Sequence, residues 1–385
     1  MKKLYAAAAA TALSGAAYAQ PSSVTLYGLI DTGIGYANVD GAYTDPATGN
    51  RTRVDSSRIG STTGTTAGSR WGLRGKEDLG DGLYALFQLE SGYDSRNGNS
   101  LQSGRLFGRE ATVGLGSADW GEVRLGRQYN VAARYFTGMF GSSFGGGFNQ
   151  LNTGAGLGFS SAYFVRYDNL IVYETPSMGG FKGALGYAFN ADDRRLAQTG
   201  FATADNTRAI TAGLRYDNGP VMGFATYDQL NASNKLSQSQ TDATPRSYII
   251  GGSYDFEVVK VALAYNRMTD GWFAGKGFPN GGNIGGFTGT PSYAFVKGFR
   301  SNAYMLALAA PVGKSGGAFA SWQRADANNK QLTGGDATSN TYSLGYNYNL
   351  SKRTDLYAVA SYTTNWAFLD NAKATEVNMG IRHRF

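Results

Sequence analysis

The stretch Glu376-Val377-Asn378-Met379-Gly380-Ile381-Arg382-His383-Arg384-Phe385 alternates with a period of two. Val377, Met379, Ile381, His383 and Phe385 fall on one face, and Glu376, Asn378, Gly380, Arg382 and Arg384 on the other, because successive strand residues point to opposite sides of a sheet. One face is oily and the other charged. A strand this regular that ends on an aromatic, with no polar tail, fits a closed membrane barrel. The last strand then pairs with the first and leaves no edge exposed. Phe385 is expected in the aromatic girdle at one membrane interface.

The other end sets the expected compartment. Lys2 and Lys3 form a basic start, Leu4 to Ala17 is a short Ala-rich apolar run, and Ala17-Tyr18-Ala19 has the small-x-small form of a signal-peptidase site. A membrane anchor is the weaker alternative, since the run is too short to span. The expected organisation is a signal peptide over residues 1–19 and one barrel domain over residues 20–385. No later segment approaches the roughly 20 consecutive apolar residues that a membrane helix needs. Yet 25 Tyr, 21 Phe and 55 Gly accompany 8 Pro and no Cys. A disulfide-free exported chain needs another source of rigidity, and a closed sheet supplies one. The net charge of +7 comes from basic residues scattered singly, which argues against a nucleic-acid partner.

Between the ends the same alternation recurs in hairpins. Val24, Leu26, Ile30 and Ile34 share a face, and Trp71 and Leu73 oppose Arg70, Arg74 and Lys76. Leu83, Ala85, Phe87 and Leu89 oppose Tyr84, Gln88 and Glu90; later segments repeat the pattern to Leu356–Tyr362 and the terminal strand, sixteen in all. Val221–Tyr227 and Ala303–Ala310 can be read in either register. Short turns such as residues 78–82, 117–121, 217–220 and 311–315 carry Gly, Asp, Asn or Pro, which supply positive or fixed φ. Long polar loops, 38–57, 191–206, 229–245 and 267–299, lie on the other rim. An even count with loops segregated this way is the outer-membrane pattern. The fold class is therefore all-β, a transmembrane 16-stranded antiparallel β-barrel.

Several stretches resemble the Gram-negative general diffusion porins of the neisserial and burkholderial type. They are Ser23-Val24-Thr25-Leu26-Tyr27-Gly28, Ser69 to Gly80, Phe87-Gln88-Leu89-Glu90, Leu125-Gly126-Arg127-Gln128, Arg166-Tyr167-Asp168-Asn169, Leu350 to Thr354 and the terminal Arg384-Phe385. The resemblance implies a homotrimer in the lipid bilayer and lipopolysaccharide of the cell outer membrane, delivered by the outer-membrane assembly machinery. Each barrel would be a water-filled pore for small hydrophilic solutes and ions. The third loop would fold into the lumen and form the constriction.

Residues 129–162 are the candidate inward loop, long and rich in Gly, Phe and Ser; a loop of that length needs a reason. Its Arg134, Phe136, Phe140 and Phe144 are the candidate loop residues, the aromatics packing it onto the wall. From Tyr129 to Val165 there is no Asp or Glu, although many relatives carry a loop carboxylate. Arg70, Arg74 and Lys76 share a polar face, and Arg124 has inward parity; placing such charges toward lipid would cost a few kcal/mol each. Resemblance adds Arg109 and Arg166 to this basic wall. Arg109 and Arg127 have outward parity, so each demands a bulge or a position outside its strand. Inward acids, Asp31, Glu90, Glu110 and Glu122, oppose the basic field, and the expected balance is anion preference. For assembly, Ser91–Gly104 is the segment expected to reach a neighbouring subunit, and Phe385 the residue that closes the barrel.

The competing classes are an outer-membrane barrel enzyme, such as a hydrolase, and an adhesin or structural barrel. The single His, His383, lies on the apolar face, so no His-centred triad or metal site assembles. No Gly-rich stretch has phosphate-loop spacing. A sealed barrel would need a plug, and no helix-forming segment is evident to make one. No enzyme activity, cofactor or metal is expected.

Overall fold

A computed structural model describes residues 23–44, 50–140, 158–163, 165–192, 201–274, 293–328 and 338–385. The expected signal peptide, residues 1–19, lies outside them, as does Phe144. Strands β1 (Ser23–Thr44), β2 (Arg51–Thr63), β3 (Arg70–Gly80), β4 (Leu83–Gly92), β5 (Glu110–Ser117), β6 (Gly121–Tyr129), β7 (Arg166–Glu174), β8 (Phe181–Ala188) and β9 (Arg208–Asn218) come first. β10 (Val221–Asn231), β11 (Arg246–Asp255), β12 (Lys260–Trp272), β13 (Ala294–Val312), β14 (Gly316–Ala327), β15 (Thr338–Asn349), β16 (Thr354–Thr364) and β17 (Lys373–Arg384) follow. All pairings are antiparallel, and β17 pairs with β1 from Leu29↔Arg384 to Asp40↔Lys373. The sheet is closed.

β1 accepts β2 along Thr32–Thr44 and β3 along Ser23–Leu29. β2 and β3 are thus two lengths of one wall strand, interrupted by residues 64–69. The 17 segments make a closed barrel of 16 strands. Residues 38–57, expected as a polar loop, are instead largely strand, since β1 runs on to Thr44 and β2 starts at Arg51. This hairpin carries polar residues on both faces, including Arg53 beside Asp40 at 3.8 Å and Asp55 at 3.6 Å. A strand that rises beyond the hydrocarbon needs no lipid face, so it shows no alternation to read.

Within the barrel the alternation has the expected sense. Val24, Leu26 and Ile34 are exposed while Leu29 and Asp31 are buried; Met379 and Ile381 are exposed while Asn378 and Arg382 are buried. Outward rings form two belts. Tyr227 and Tyr248 (5.1 Å between centroids) and Tyr265 and Tyr304 (5.3 Å) lie toward the long loops. Phe181 and Tyr216 (4.6 Å) and Tyr254 and Phe256 (4.4 Å) lie toward the short turns. Exposed Ile250, Leu263 and Leu344 fill the band between, which is the side a bilayer covers. The turn between β3 and β4 has Asp81 at φ 50° and Gly82 at φ 75°, the doubly left-handed form that matches hairpin twist.

The loop after β6 turns inward, as expected, but it begins with a helix, Val131–Phe140, that the sequence reading missed. The helix packs against the inner faces of β9, β10 and β11. Phe136 is fully buried, 5.0 Å from the Phe159 ring and 6.2 Å from the Phe224 ring. Inward Met222, Phe224, Ile249 and Met268 join this cluster. That covering explains the ambiguous register of Val221–Tyr227: here lipid lies on one face and the folded loop on the other, so both faces are apolar. At Ala303–Ala310 the inward residues are apolar as well, Ala303, Met305, Ala307 and Ala309, so polarity again fails to mark the lumen.

Candidate functional site

Between the lumen helix and the wall of β3–β7 lies a cavity of about 660 Å³. Strand parity aims Arg70, Gln88, Glu90, Glu110 and Arg124 into it, and the helix contributes Arg134. Five arginines and two glutamates line it, so its fixed charge is positive. Of the six expected wall bases, Arg70, Arg109, Arg124 and Arg166 meet here. Arg74 and Lys76 do not. They stand further along β3 toward the short turns, Arg74 at 5.2 Å from the Tyr27 ring centre and Lys76 at 3.5 Å from that of Tyr84. Such stacking holds a cation in place while leaving its charge intact.

Arg109 reaches the cavity because it precedes the first residue of β5, Glu110, and so escapes that strand's alternation. Its Nε donates to Glu90 Oε1 at 2.5 Å and its Nη2 to Tyr129 Oη at 3.1 Å. Arg70 Nε lies 3.9 Å from the other oxygen of Glu90, which also accepts from Tyr27 Oη at 3.0 Å. Glu90 thereby binds two guanidiniums. Arg166 stacks over the Tyr129 ring at 3.9 Å and donates to its hydroxyl. Arg124 donates to Glu122, which also accepts from Tyr84, and Arg134 lies 3.8 Å from Glu174.

Arg127 goes elsewhere. A bulge between Gly126 and Gln128 breaks the register of β6, and Gly126 takes φ +121°, which favours glycine. Arg127 then donates to Gly108 O at 2.8 Å and to Asp168 Oδ1 at 2.5 Å. Asp168 also receives both terminal nitrogens of Arg105, at 2.5 and 2.7 Å. Asp31, expected to oppose the basic field, is wholly buried. Its Oδ2 accepts from Thr66 N (2.8 Å), Thr66 Oγ1 (2.6 Å) and Ala67 N (2.8 Å), and its Oδ1 from Tyr357 Oη (2.6 Å). The acid holds residues 66–67 against the wall instead of facing the passage.

Tyr129 was missed among the site residues, although it seats one arginine and receives another. Nothing in its local sequence marks it, because the bulge at Gly126 shifts the parity that would have predicted its direction. In the segment Ser91–Gly104, Ser95 N donates to Thr63 Oγ1 at 3.0 Å, and Leu101 and Gln102 line the cavity. Arg96 hydrogen-bonds Asp94 and holds its carboxyl below the usual carboxylate range. On the helix, Phe136 packs as described; Arg134 faces the cavity, and burial pushes the Tyr135 phenol up to about 12. The side chain of Phe140 lies outside the described residues. His383 Nδ1 is 2.9 Å from Thr354 Oγ1 on the exposed side, away from every group in the cavity.

Known proteins share this architecture. The family model described as Gram-negative porin matches residues 6–367. An outer membrane porin protein of Bordetella pertussis is 54% identical over 397 residues, covering 100% of both chains. Outer membrane porin protein 32 of Delftia acidovorans is 37% identical, again over 100% of both. Among solved structures, the anion-selective porin from Comamonas acidovorans superposes with a TM-score of 0.67 at 30% identity, covering 94% of this chain and 100% of that one.

Proposed function

This chain belongs to the Gram-negative porin family, and we propose that its outer-membrane pore prefers anions, with Arg70, Arg109, Arg124, Arg134 and Arg166 as the selecting charges. The observation that carries the reading is the charge balance of the lumen cavity, lined by five arginines and two glutamates, with Glu122 and Glu174 beside it paired to Arg124 and Arg134, so the arginines still exceed the acids. The loop across from the wall adds no acid between Tyr129 and Val165. In a narrow passage walled by protein, fixed charge acts on an ion more strongly than in bulk water. The relative described as an anion-selective porin supports the same sign. Arg74 and Lys76 extend the basic track toward the short-turn mouth.

The test is the zero-current potential of the purified protein in a planar bilayer under a salt gradient. It is expected to report chloride preference, strongest at low salt, because the screening length shrinks from about 30 Å at 0.01 M to about 3 Å at 1 M. Cation preference in the unmodified protein would make the basic-wall assignment wrong. Stepwise ohmic conductance, measured in the same experiment, separates this reading from a barrel enzyme or a sealed adhesin.

The assembly is proposed to be a homotrimer. Exposed Val24, Leu26, Ile34, Val113 and Leu115 give β1 and β5 an apolar outer face for a neighbouring wall to cover, while Gly33, Gly35 and Gly114 alternate with them and face the lumen. Native mass measurement in mild detergent is expected to give three chains. A single-chain mass would remove the assembly and leave the pore intact.

A further inference from the structure

The lumen helix must be held in one place if the charges beside it are to define the passage. We propose that Asn130 is the positioning residue that sets the helix against the wall and, through it, the ion preference of the pore; the selectivity part rests on the anion-pore reading above.

Asn130 is fully buried at the junction between β6 and the helix. Its side-chain amide is used completely. Nδ2 donates to Asp228 Oδ1 at 2.7 Å and to Ser161 O at 2.9 Å, and Oδ1 accepts from Ala133 N at 3.1 Å. One side chain therefore caps the helix, binds the barrel wall, and joins the two ends of the inward loop. A helix start leaves its first backbone N–H groups without intrahelical partners. Here the wall takes another of them, Val131 N donating to Thr211 Oγ1 at 2.9 Å.

The wall is prepared for this contact. Asp228 and Thr211 are directly opposed residues of β10 and β9, both buried on the inner face. They form a two-residue dock of one carboxylate and one hydroxyl, and the helix start seats on it. The returning end of the loop is tied separately: Ser161 Oγ lies 2.7 Å from Ser247 Oγ, and Phe273 N donates to Ser160 Oγ at 3.1 Å.

Position links this dock to the passage. Asn130 lies between Tyr129, which seats Arg166 and receives Arg109, and Arg134, one helical turn on. A shift of Asn130 displaces both. The hydrogen bonds to Asp228 and Ser161 need two N–H donors, whereas an acid at position 130 has one O–H to give when protonated and none when ionised. Exchanging the pair restores the amide-to-carboxylate bond in the same place and forgoes the one to Ser161 O.

The experiment compares Asn130→Asp, Asn130→Ala and the double exchange Asn130→Asp/Asp228→Asn in planar bilayers, reading zero-current potential and open-channel current noise. Asn130→Asp is expected to lower the chloride-to-potassium permeability ratio about threefold and to raise the noise, with the double exchange restoring both, as coupled neighbours do. A local charge effect alone would also be relieved in the exchange, because the carboxylate removed at 228 lay 2.7 Å from position 130, but it would leave the noise unchanged in every variant and the ratio unchanged in Asn130→Ala. An inserted Asn130→Asp channel with unaltered noise, or a double exchange no better than the single, overturns the proposal. If Asn130→Asp does not insert, Asn130→Ala decides by the same noise criterion. Should the unmodified pore prove cation-preferring, the anion reading fails, while the noise and its rescue still judge Asn130.

Discussion

Deleting Phe385, or replacing it with Ser, is expected to lower the amount of barrel in the outer membrane by about tenfold. The conductance of channels that do insert should stay close to normal. Two contacts made by this residue motivate the expectation. Its backbone completes the closing seam, Gly28 N donating to Phe385 O at 3.0 Å and Phe385 N to Gly28 O at 3.1 Å. Its ring lies against Gly28, where a Cβ would collide with it. The glycine is needed there for close approach, not for an unusual φ. Closure removes the unpaired edge that hydrocarbon cannot solvate, and an aromatic is favoured at the interface. The Phe385 ring lies on the exposed outer face and the cavity charges on the inner one, so ion flow has little reason to change. Quantifying surface protein beside single-channel conductance checks both halves; wild-type surface levels for the deletion would refute the expectation.

Replacing Arg70 and Arg166 together by Ser is expected to cost the pore most of its anion preference, about tenfold in the permeability ratio at low salt. The variant leaves three arginines facing two glutamates in the cavity that held five. Two unit charges 4 Å apart interact by about 1 kcal/mol in bulk water and about 4 kcal/mol at an effective dielectric near 20. Removing two charges from a passage between these limits is therefore ample for a tenfold change. Both side chains also occupy space in the cavity, so conductance at high salt, where screening suppresses the charge effect, should rise. Arg109 keeps its bond to Glu90 and Tyr129 keeps its place, which limits the change to charge and width. A salt-gradient potential unchanged in the double variant would mean that Arg109, Arg124 and Arg134 select without these two.

The fold was legible because a bilayer imposes a simple rule on a strand. Residues such as Leu26, Leu344 and Met379 must face lipid, their neighbours must not, and a period of two records the result directly. The rule falls silent where its cause is absent. Residues 38–57 rise beyond the hydrocarbon and so read as a loop, although much of the stretch is strand. Val221–Tyr227 has the folded loop on one side and lipid on the other, so both registers looked possible. The helix at Val131–Phe140 also escaped notice, because its single turn-by-turn pattern follows a strand and precedes a Gly-rich tract.

The candidate site was legible only in part, for the same physical reason. Parity by itself placed Arg70, Arg124, Glu90 and Glu110 toward the lumen, and composition showed that the loop carries no acid. What the tertiary structure decided is which of these charges meet. Arg109 enters the cavity by standing outside its strand, Arg127 leaves it through the bulge at Gly126, and Asp31 is consumed by residues 66–67 and Tyr357. Alternation records which side of a sheet a residue faces; it holds no information on bulges, or on contacts between strands far apart in sequence. The direction of the wall charges was thus a property of the sequence, and their pairing a property of the closed barrel.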